Sequence, residues 1–174
     1  SDPWQRAASL GRGVNLGNML DAPVEGAWGE TVEEEYLTLI ADAGFRHVRI
    51  PIRWNAHAGA AAPYTIDSGF MSRVDEVVAW ALAAGLSVMI NIHHYDELWV
   101  NPEAERARFL GLWDQIASHY SSAPPSLLME IVNEPTWDIP AATVNSLQAD
   151  AVSVIRRTNP ARTLVLGGYR YNHP

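Results

Sequence analysis

A short apolar run that ends in an amide and a carboxylate is the chemically most informative feature of this sequence. Residues 127–132 are apolar except for Glu130, and Asn133, Glu134 and Pro135 follow directly. A block of Leu, Ile and Val between prolines predicts a strand buried on both faces. A carboxylate at the end of such a strand, beside a hydrogen-bonding amide, suits a general acid in a cleft. Glu134 is therefore the candidate catalytic residue.

Two further predicted strands end in polar residues, and these have more than one interpretation. Arg49 either pairs with Glu130 from a neighbouring strand or contacts a substrate, and the two roles are compatible. His93 and His94 follow a third strand. Because alternate side chains of a strand point to opposite faces, both cannot face one ligand if the strand continues, and a structural role is favoured for His94. Glu134 itself has an alternative role, in which it caps the following helix or pairs with Arg49.

The aromatic composition is unusual, with seven Trp and six Tyr against three Phe. Amphipathic aromatic side chains suit surfaces that stack on a ligand while remaining hydrated. Trp80 and Trp113 fall at core-facing helix positions and are expected to pack. Four others fall in loops near strand ends, where stacking on a ligand is expected for some of them: Trp28, Trp54, Trp99 and Trp137.

Composition and charge exclude several classes of function. The 174 residues include 12 Lys and Arg against 20 Asp and Glu, a net charge of −8, so binding to nucleic acid or an anionic membrane is not expected. No apolar stretch reaches transmembrane length, and no signal peptide is recognised. The absence of cysteine excludes disulfides and thiolate chemistry. The histidines lack a His-x-His or His-Glu-x-x-His pattern, so no metal site is expected.

Strand-like and helical runs alternate along the chain, a pattern typical of a parallel α/β architecture. The predicted strands cover residues 12–16, 47–50, 87–92, a run from 127, and 164–166. The predicted helices cover residues 31–43, 68–84, 102–120 and 141–157. Thr31 and Glu34 have the spacing of a capping box, and Asn101 precedes Pro102 as an N-cap precedes a first-turn proline.

Five strands with four intervening helices fall short of a closed barrel, which takes about 250 residues. A doubly wound open sheet fits the length better, but no glycine-rich phosphate loop follows a strand: residues 14–18 read Val-Asn-Leu-Gly-Asn. The polar residues instead follow the carboxyl ends of several strands, as in a barrel. The prediction is a single α/β domain over residues 1–174, a partial (β/α)8 TIM barrel.

Four segments at these strand ends resemble the family 5 glycoside hydrolases: Arg-Gly-Val-Asn-Leu-Gly-Asn, Val-Arg-Ile-Pro-Ile, Ile-Asn-Ile-His-His and Glu-Ile-Val-Asn-Glu-Pro. These enzymes are retaining β-glycosidases and include many endo-β-1,4-glucanases, or cellulases. The resemblance implies a (β/α)8 barrel, a β-linked polysaccharide or oligosaccharide as substrate, no metal or organic cofactor, and secretion. The sequence does not distinguish cellulose from mannan, xylan or mixed-linkage glucan.

The resemblance also implies roles by position. Glu134 matches the acid/base, Asn133 the amide that binds the sugar 2-hydroxyl, and Arg49 the arginine beneath the nucleophile. His93 matches the histidine that contacts the sugar beside the cleavage point. Burial raises the pKa of a carboxyl, so an aromatic-walled cleft suits Glu134 as an acid. The remaining expected substrate contacts are His94, Tyr95, Asn18, Trp28 and Trp137, although Asn18 alternatively only satisfies a turn.

One part of the family pattern is missing from these residues. The nucleophile of the family is a glutamate on the seventh strand, and this sequence ends after the fifth predicted strand. Glu130 lies about 13 Å back along the strand from Glu134, and no rule places Asp96, Glu97 or Asp138 beside it. The expectation is a β-glucan hydrolase scaffold with very low or absent activity. The alternatives are a non-catalytic carbohydrate-binding half-barrel and a metal-dependent barrel hydrolase.

Self-association is the last expectation. Five strands leave two edges unpaired and an inner face partly uncovered, and exposed strand edges and apolar patches favour association. The apolar residues assigned to that inner face are Val14, Val48, Ile50, Ile90 and Ile92. We therefore expect a homo-oligomer, a dimer or trimer in which the open sides pack together.

Overall fold

Five parallel strands form one sheet in which the order of strands is their order in the chain. The structure, a computed structural model, describes residues 2–136 and 138–172. The strands are β1 (Gly13–Asn15), β2 (His47–Ile50), β3 (Ser87–Asn91), β4 (Leu127–Glu130) and β5 (Leu164–Val165). Every neighbouring pair is parallel. The predicted five-stranded parallel α/β architecture is confirmed.

The four predicted helices lie between consecutive strands. They are α2 (Glu34–Asp42), α3 (Ser68–Ala83), α5 (Pro102–His119) and α6 (Ala141–Arg156). Four short elements were not predicted from the sequence: α1 (Pro3–Leu10), a 3₁₀ turn (Trp54–His57), α4 (Asp96–Val100) and a turn over Tyr169–Asn172, in which Arg170 and Tyr171 have left-handed dihedrals with φ of 54° and 56°. Among the helices described, none has the length and apolar character needed to span a membrane.

The ends of the helices test the predicted caps. Asn101 caps α5 as expected, since its side chain accepts a hydrogen bond from the backbone N–H of Ala104 at 3.2 Å. The predicted capping box is wrong, because α2 begins only at Glu34 and the Thr31 hydroxyl donates to the side chain of Glu33. The backbone N–H of Val32 is held by the carboxylate of Glu25, which keeps this segment in the preceding loop.

The two faces of the sheet differ because side chains alternate along each strand. Laterally paired residues of parallel strands share a face. The register pairs Asn15 with Arg49 and Asn91 with Glu130, which places polar side chains on the inner face. The opposite face packs beneath the helices, and the stripe of α3 that covers it is fully buried at Val74.

The apolar inner face predicted for self-association is wrong. Val48, Ile50, Ile90 and Ile92 are each at most 1% exposed, because they belong to the outer face beneath the helices. Val14 pairs with Val48 and shares that face. A shift of one residue in the inward–outward assignment moves every side chain of a strand to the other face. The inner face is therefore considerably more polar than expected.

Candidate active site

Arg49 lies at the centre of a polar network on the inner face near the carboxyl ends of the strands. Its Nε and Nη2 donate to the two carboxylate oxygens of Glu130, at 2.6 and 3.1 Å. Nη1 donates to Asn15 Oδ1 and Nη2 to Asn133 Oδ1, both at 2.8 Å. The predicted Arg49–Glu130 ion pair is confirmed. The two residues are not on neighbouring strands, however, since β3 lies between β2 and β4.

Asn91 of β3 extends this network toward the histidines. Its side-chain Nδ2 lies 3.0 Å from Glu130 Oε2 and 3.1 Å from His93 Nδ1, and its Oδ1 accepts from the backbone N–H of Ile52 at 3.3 Å. Sequence reasoning passed over Asn91, although it stands in the Ile-Asn-Ile-His-His segment on the same face as Glu130. The network therefore contains side chains from four consecutive strands or the residues that follow them.

His93 is neutral at neutral pH in this environment. Its side chain is buried, and this burial, the positive charge of Arg49 and the neighbouring His94 together lower its pKa to about 3. The carboxylate of Asp21 opposes this shift only in part. A neutral imidazole has one protonated and one bare nitrogen, so His93 can both donate and accept a hydrogen bond.

His94 and Trp28 form the wall beside His93. The strand ends at Asn91 and His94 has a φ of 49°, so the two histidine rings meet edge to face at 4.5 Å between centroids. The expectation that they face opposite directions fails because it required the strand to continue. The ring of Trp28, which is 44% exposed, meets His94 edge to face at 5.6 Å. Two of the predicted substrate-contacting residues are therefore adjacent.

The same turn brings three potential metal ligands together, an arrangement the sequence analysis did not expect. The ligand atoms of Asp21, His93 and His94 lie within 4.8 Å of one another, and His94 Nε2 is 3.7 Å from Asp21 Oδ2. A metal-bound histidine normally donates its second ring N–H to an acceptor. Here the Nδ1 of His93 faces the NH₂ group of Asn91, which is a donor. The donor set therefore does not fit a metal ion well.

Glu134 lies in an open pocket beyond the end of β4. The pocket is lined by His94, Tyr95, Asp96, Trp99, Asn133, Glu134, Thr136 and Tyr171. Burial was predicted for the Glu134 side chain, but among the described residues it is exposed. Its φ is 32°, in the left-handed region that residues with a side chain seldom adopt. Asn18 and His94 share this conformation with φ of 67° and 49°, and strained backbone of this kind clusters at functional sites.

Several other predicted contacts are placed differently. Tyr95 is 1% exposed and its hydroxyl donates to Glu105 at 2.5 Å, so it supports the pocket from behind instead of presenting its hydroxyl to a substrate. Trp54 is fully buried with its ring N–H on the carbonyl of Asn91, which removes it from the stacking candidates. Asn18 is exposed in a turn. Trp137 lies outside the described residues.

Three loop carboxylates, Asp96, Glu97 and Asp138, are the candidates for a second catalytic carboxylate beside Glu134. Asp96 lines the same pocket as Glu134, and its side chain is 74% exposed with Arg53 at 3.8 Å. Glu97 accepts a hydrogen bond from the side chain of Asn55 at 3.3 Å. Asp138 lines the adjoining pocket together with Asp96, Trp99 and Tyr171. Asp96 and Asp138 thus border the space near Glu134, whereas Glu97 is engaged elsewhere.

Comparison with known proteins identifies the scaffold. Residues 10–173 match the profile of cellulase, glycosyl hydrolase family 5. The chain belongs to this family. Its fold is that of the family 5 endoglucanase barrels, and the prediction of a partial barrel is confirmed.

The family 5 relatives are longer than this chain. Endoglucanase H of Acetivibrio thermocellus is 39% identical over 171 residues, which cover 98% of this chain and 19% of the relative. Endoglucanase A of Paenibacillus barcinonensis is 30% identical over 194 residues, covering 97% and 48%. The crystal structure of endoglucanase Cel5A from Thermotoga maritima superposes with a TM-score of 0.96 at 47% identity, covering 99% and 56%. The same endoglucanase has been crystallised with cellobiose and with mannotriose. The chain spans about half or less of the length of these relatives.

Proposed function

We propose that this chain supplies the acid/base side of a site that hydrolyses β-1,4-linked glucans with retention of configuration. Glu134 is the acid/base, and Asn133, Arg49 and His93 bind or support the sugar. The observation that carries the proposal is the Arg49 network, which holds Asn133 in place immediately beside Glu134. The endoglucanase relatives support the substrate class.

The proposed chemistry follows from the side chains. Protonated Glu134 gives its proton to the leaving glycosidic oxygen, and its carboxylate then takes a proton from the water that releases the sugar. Asn133 accepts from Arg49 through Oδ1, which leaves its NH₂ group to donate to a sugar hydroxyl. A second carboxylate about 5–5.5 Å from the first must attack the anomeric carbon.

We propose that these 174 residues lack that second carboxylate and that the chain alone hydrolyses glucan at or near background. Asp96 and Asp138 are the first candidates for a substitute, since they border the pocket. The other candidate function is carbohydrate binding without turnover, which the same absence favours. Release of reducing sugar from carboxymethylcellulose, compared with binding to insoluble cellulose, separates the two.

The decisive variant is Glu134→Gln, measured in the chain alone and after fusion to the remaining barrel strands of a family 5 relative. The amide keeps the shape of the side chain but cannot transfer a proton. Hydrolysis of unactivated cello-oligosaccharides should fall by about 10²–10⁴-fold, the usual contribution of a general acid. Substrates with good leaving groups should lose much less in the glycosylation step. Equal turnover of wild type and variant on cello-oligosaccharides would remove Glu134 from the mechanism.

Two further proposals concern the oligomeric state of the chain and its location. We infer that it self-associates when isolated, because β1 and β5 each pair on one side only among the described strands. Light scattering after size exclusion tests this, and a stable species at the 19.2 kDa monomer mass contradicts it.

Secretion is proposed from the polymeric nature of the substrate, and detection of the protein in the culture medium tests it.

A further inference from the structure

Asn91 is a fully buried amide whose neighbours define the orientation of its side chain. The backbone N–H of Ile52 points at one side-chain atom, which must therefore be the oxygen. The other atom faces Glu130 Oε2 at 3.0 Å and His93 Nδ1 at 3.1 Å, and must be the NH₂ group. The reverse orientation would put oxygen against a carboxylate and leave the N–H of Ile52 facing a second donor. Each such unpaired buried group is costly.

The orientation of Asn91 determines where the proton of His93 resides. The NH₂ group has two hydrogens, and its contacts with Glu130 and with His93 use one each. Nδ1 of His93 is then an acceptor. Because the buried ring is neutral, its single proton lies on Nε2.

We propose that Asn91 is a positioning residue that fixes His93 in the Nε2–H tautomer, so that this histidine offers a ligand a hydrogen-bond donor. A sugar hydroxyl in the cleft then accepts from His93 through its oxygen. This last step rests on the proposed function, whereas the tautomer itself does not. His93 lies close to Asp21 and His94, which suggests a metal site. The assigned tautomer excludes Nε2 of His93 as a metal ligand, because a protonated Nε2 has no lone pair for a cation.

The first experiment is NMR of the chain labelled with ¹⁵N at its six histidines. In long-range ¹H–¹⁵N correlation spectra, protonated and bare ring nitrogens resonate at well-separated frequencies. The signals of His93 are assigned by their loss in His93→Gln. We expect a protonated Nε2 and a bare Nδ1 at neutral pH. A protonated Nδ1, or signals averaged between the two tautomers, would overturn the proposal.

The second experiment changes the donor. In the double variant Asn91→Asp, Glu130→Gln an oxygen still accepts from Ile52, and an oxygen replaces the NH₂ group beside His93 Nδ1. The Glu130→Gln change keeps two carboxylates from meeting at 3.0 Å, where one of them would have to hold a proton. The proton of His93 should move to Nδ1, with the ratio of tautomers changing by about tenfold or more. Asn91→Ala removes the NH₂ donor beside His93 Nδ1 and puts no acceptor in its place. Neither tautomer of His93 is then favoured, and the signals of the two ring nitrogens should be averaged. Unchanged signals in both variants would show that Asn91 does not set the tautomer.

A matched control distinguishes positioning from loss of stability. Asn159 is also a buried asparagine, and its side chain donates to the carbonyl of Ala117 at 2.7 Å, away from the Arg49 network. Asn159→Ala should lower stability without altering the signals of His93. The spectra need no turnover, so a failure of the proposed hydrolysis leaves the tautomer assignment testable, and a wrong tautomer leaves the role of Glu134 untouched.

Discussion

Two arginines, Arg162 before β5 and Arg49 in β2, bind their surroundings in different ways. Arg162 is buried, and four of its hydrogen bonds go to the backbone carbonyls of Tyr120, Ala123, Pro124 and Leu127. Its Nε donates to Asn159. Within residues 2–136 and 138–172, Arg49 instead donates only to side chains, those of Asn15, Glu130 and Asn133.

The partners distinguish the structural Arg162 from Arg49, for which we propose a role in substrate binding. The five N–H groups of Arg162 are all used, and burial without a carboxylate lowers its pKa. That site is closed, and it fastens the turn that precedes β4. Asn133, a partner of Arg49, lines the open pocket, and its bond to Arg49 uses the side-chain oxygen and not the NH₂ group. Burial of a cation alone therefore indicates no function, whereas the chemistry of its partners does.

The largest effect is expected for Arg162→Ala. The change removes a donor from four backbone carbonyls, of which Tyr120 and Pro124 keep the backbone N–H groups of Ala123 and Leu127. The cost therefore falls on the carbonyls of Ala123 and Leu127 and on the side chain of Asn159, at about 1–3 kcal/mol for each buried unsatisfied group. We expect the free energy of unfolding to fall by about 4 kcal/mol or more, as measured by urea denaturation. Arg157→Ala is the control, because the exposed ion pair of Arg157 with Asp114 should contribute less than about 1 kcal/mol. Similar losses in the two variants would contradict the closed-site description.

Arg49→Ala is expected to cost less stability and more function. Glu130 would lose its cation in a mostly buried position, and we expect about 2–3 kcal/mol of destabilisation, below the usual cost of breaking a fully buried pair. Asn133 would lose the bond that orients it, so binding of cello-oligosaccharides should weaken as well.

The double variant Arg49→Met, Glu130→Met sharpens this comparison. Replacing a buried ion pair by apolar side chains is often neutral for stability, so part of the lost stability should return. The remainder is the cost of the buried NH₂ group of Asn91, which loses its bond to Glu130. Calorimetric titration with cello-oligosaccharides should show that binding does not return. Recovery of both properties together would make Arg49 a structural residue like Arg162.

The pH dependence of stability tests the environment of His93. Its pKa is lowered to about 3 in the folded chain, from an ordinary value of 6.5, so the unfolded chain binds the extra proton first as the pH falls. Stability is therefore lost between about pH 6.5 and pH 3, and the loss at pH 5 should be about 2 kcal/mol relative to pH 7. His93→Gln should remove this component and leave the rest of the pH dependence of stability in place. Parallel stability curves of wild type and variant would contradict the burial argument.

The smallest effect on stability is expected for Trp28→Ala. Trp28 is 44% exposed and contacts His94 only through an edge-to-face arrangement, so the variant should lose about 1 kcal/mol or less. Its binding of cello-oligosaccharides should nevertheless weaken. Trp54→Ala is the matched control, since this fully buried side chain should cost about 3–5 kcal/mol of stability. A Trp28 variant with unchanged affinity would exclude it from the binding surface.

The sequence predicted the elements well because their boundaries have strong local causes. The strand His47–Ile50 and the capped start of α5 follow from alternation, from Pro51 and from the Asn101–Pro102 pair, and each was placed correctly. Helix α2 was placed too early. There the deciding contact is the carboxylate of Glu25 on Val32, together with Arg73 of α3, a partner distant in sequence that no local pattern reveals.

The sequence predicted which residues lie at the site, but not which way all of their side chains point. Strand ends located Arg49, His93 and Glu134. Arg49 was correctly expected on the inner face, but its neighbours Val48 and Ile50, which alternation sends to the other face, were assigned there too. The contact between His93 and His94 depends on a single positive φ at His94, and the burial of Trp54 depends on a 3₁₀ turn. Both are decided by tertiary packing, which neither alternation nor composition encodes.

The sequential order of the strands also bears on how the chain reaches its fold. Each strand pairs with the next strand in the sequence, and the paired residues are 34 to 40 residues apart. Loop-closure entropy rises with the length of the closed loop, and this order keeps each loop about as short as a parallel crossover through a helix allows. Chains are synthesised from the amino terminus, and domains fold in that direction when they can. The hydrogen bonds described for Arg49 and Asn91 involve no residue beyond Asn133, so this network can form once residue 133 has left the ribosome, before β5 has emerged.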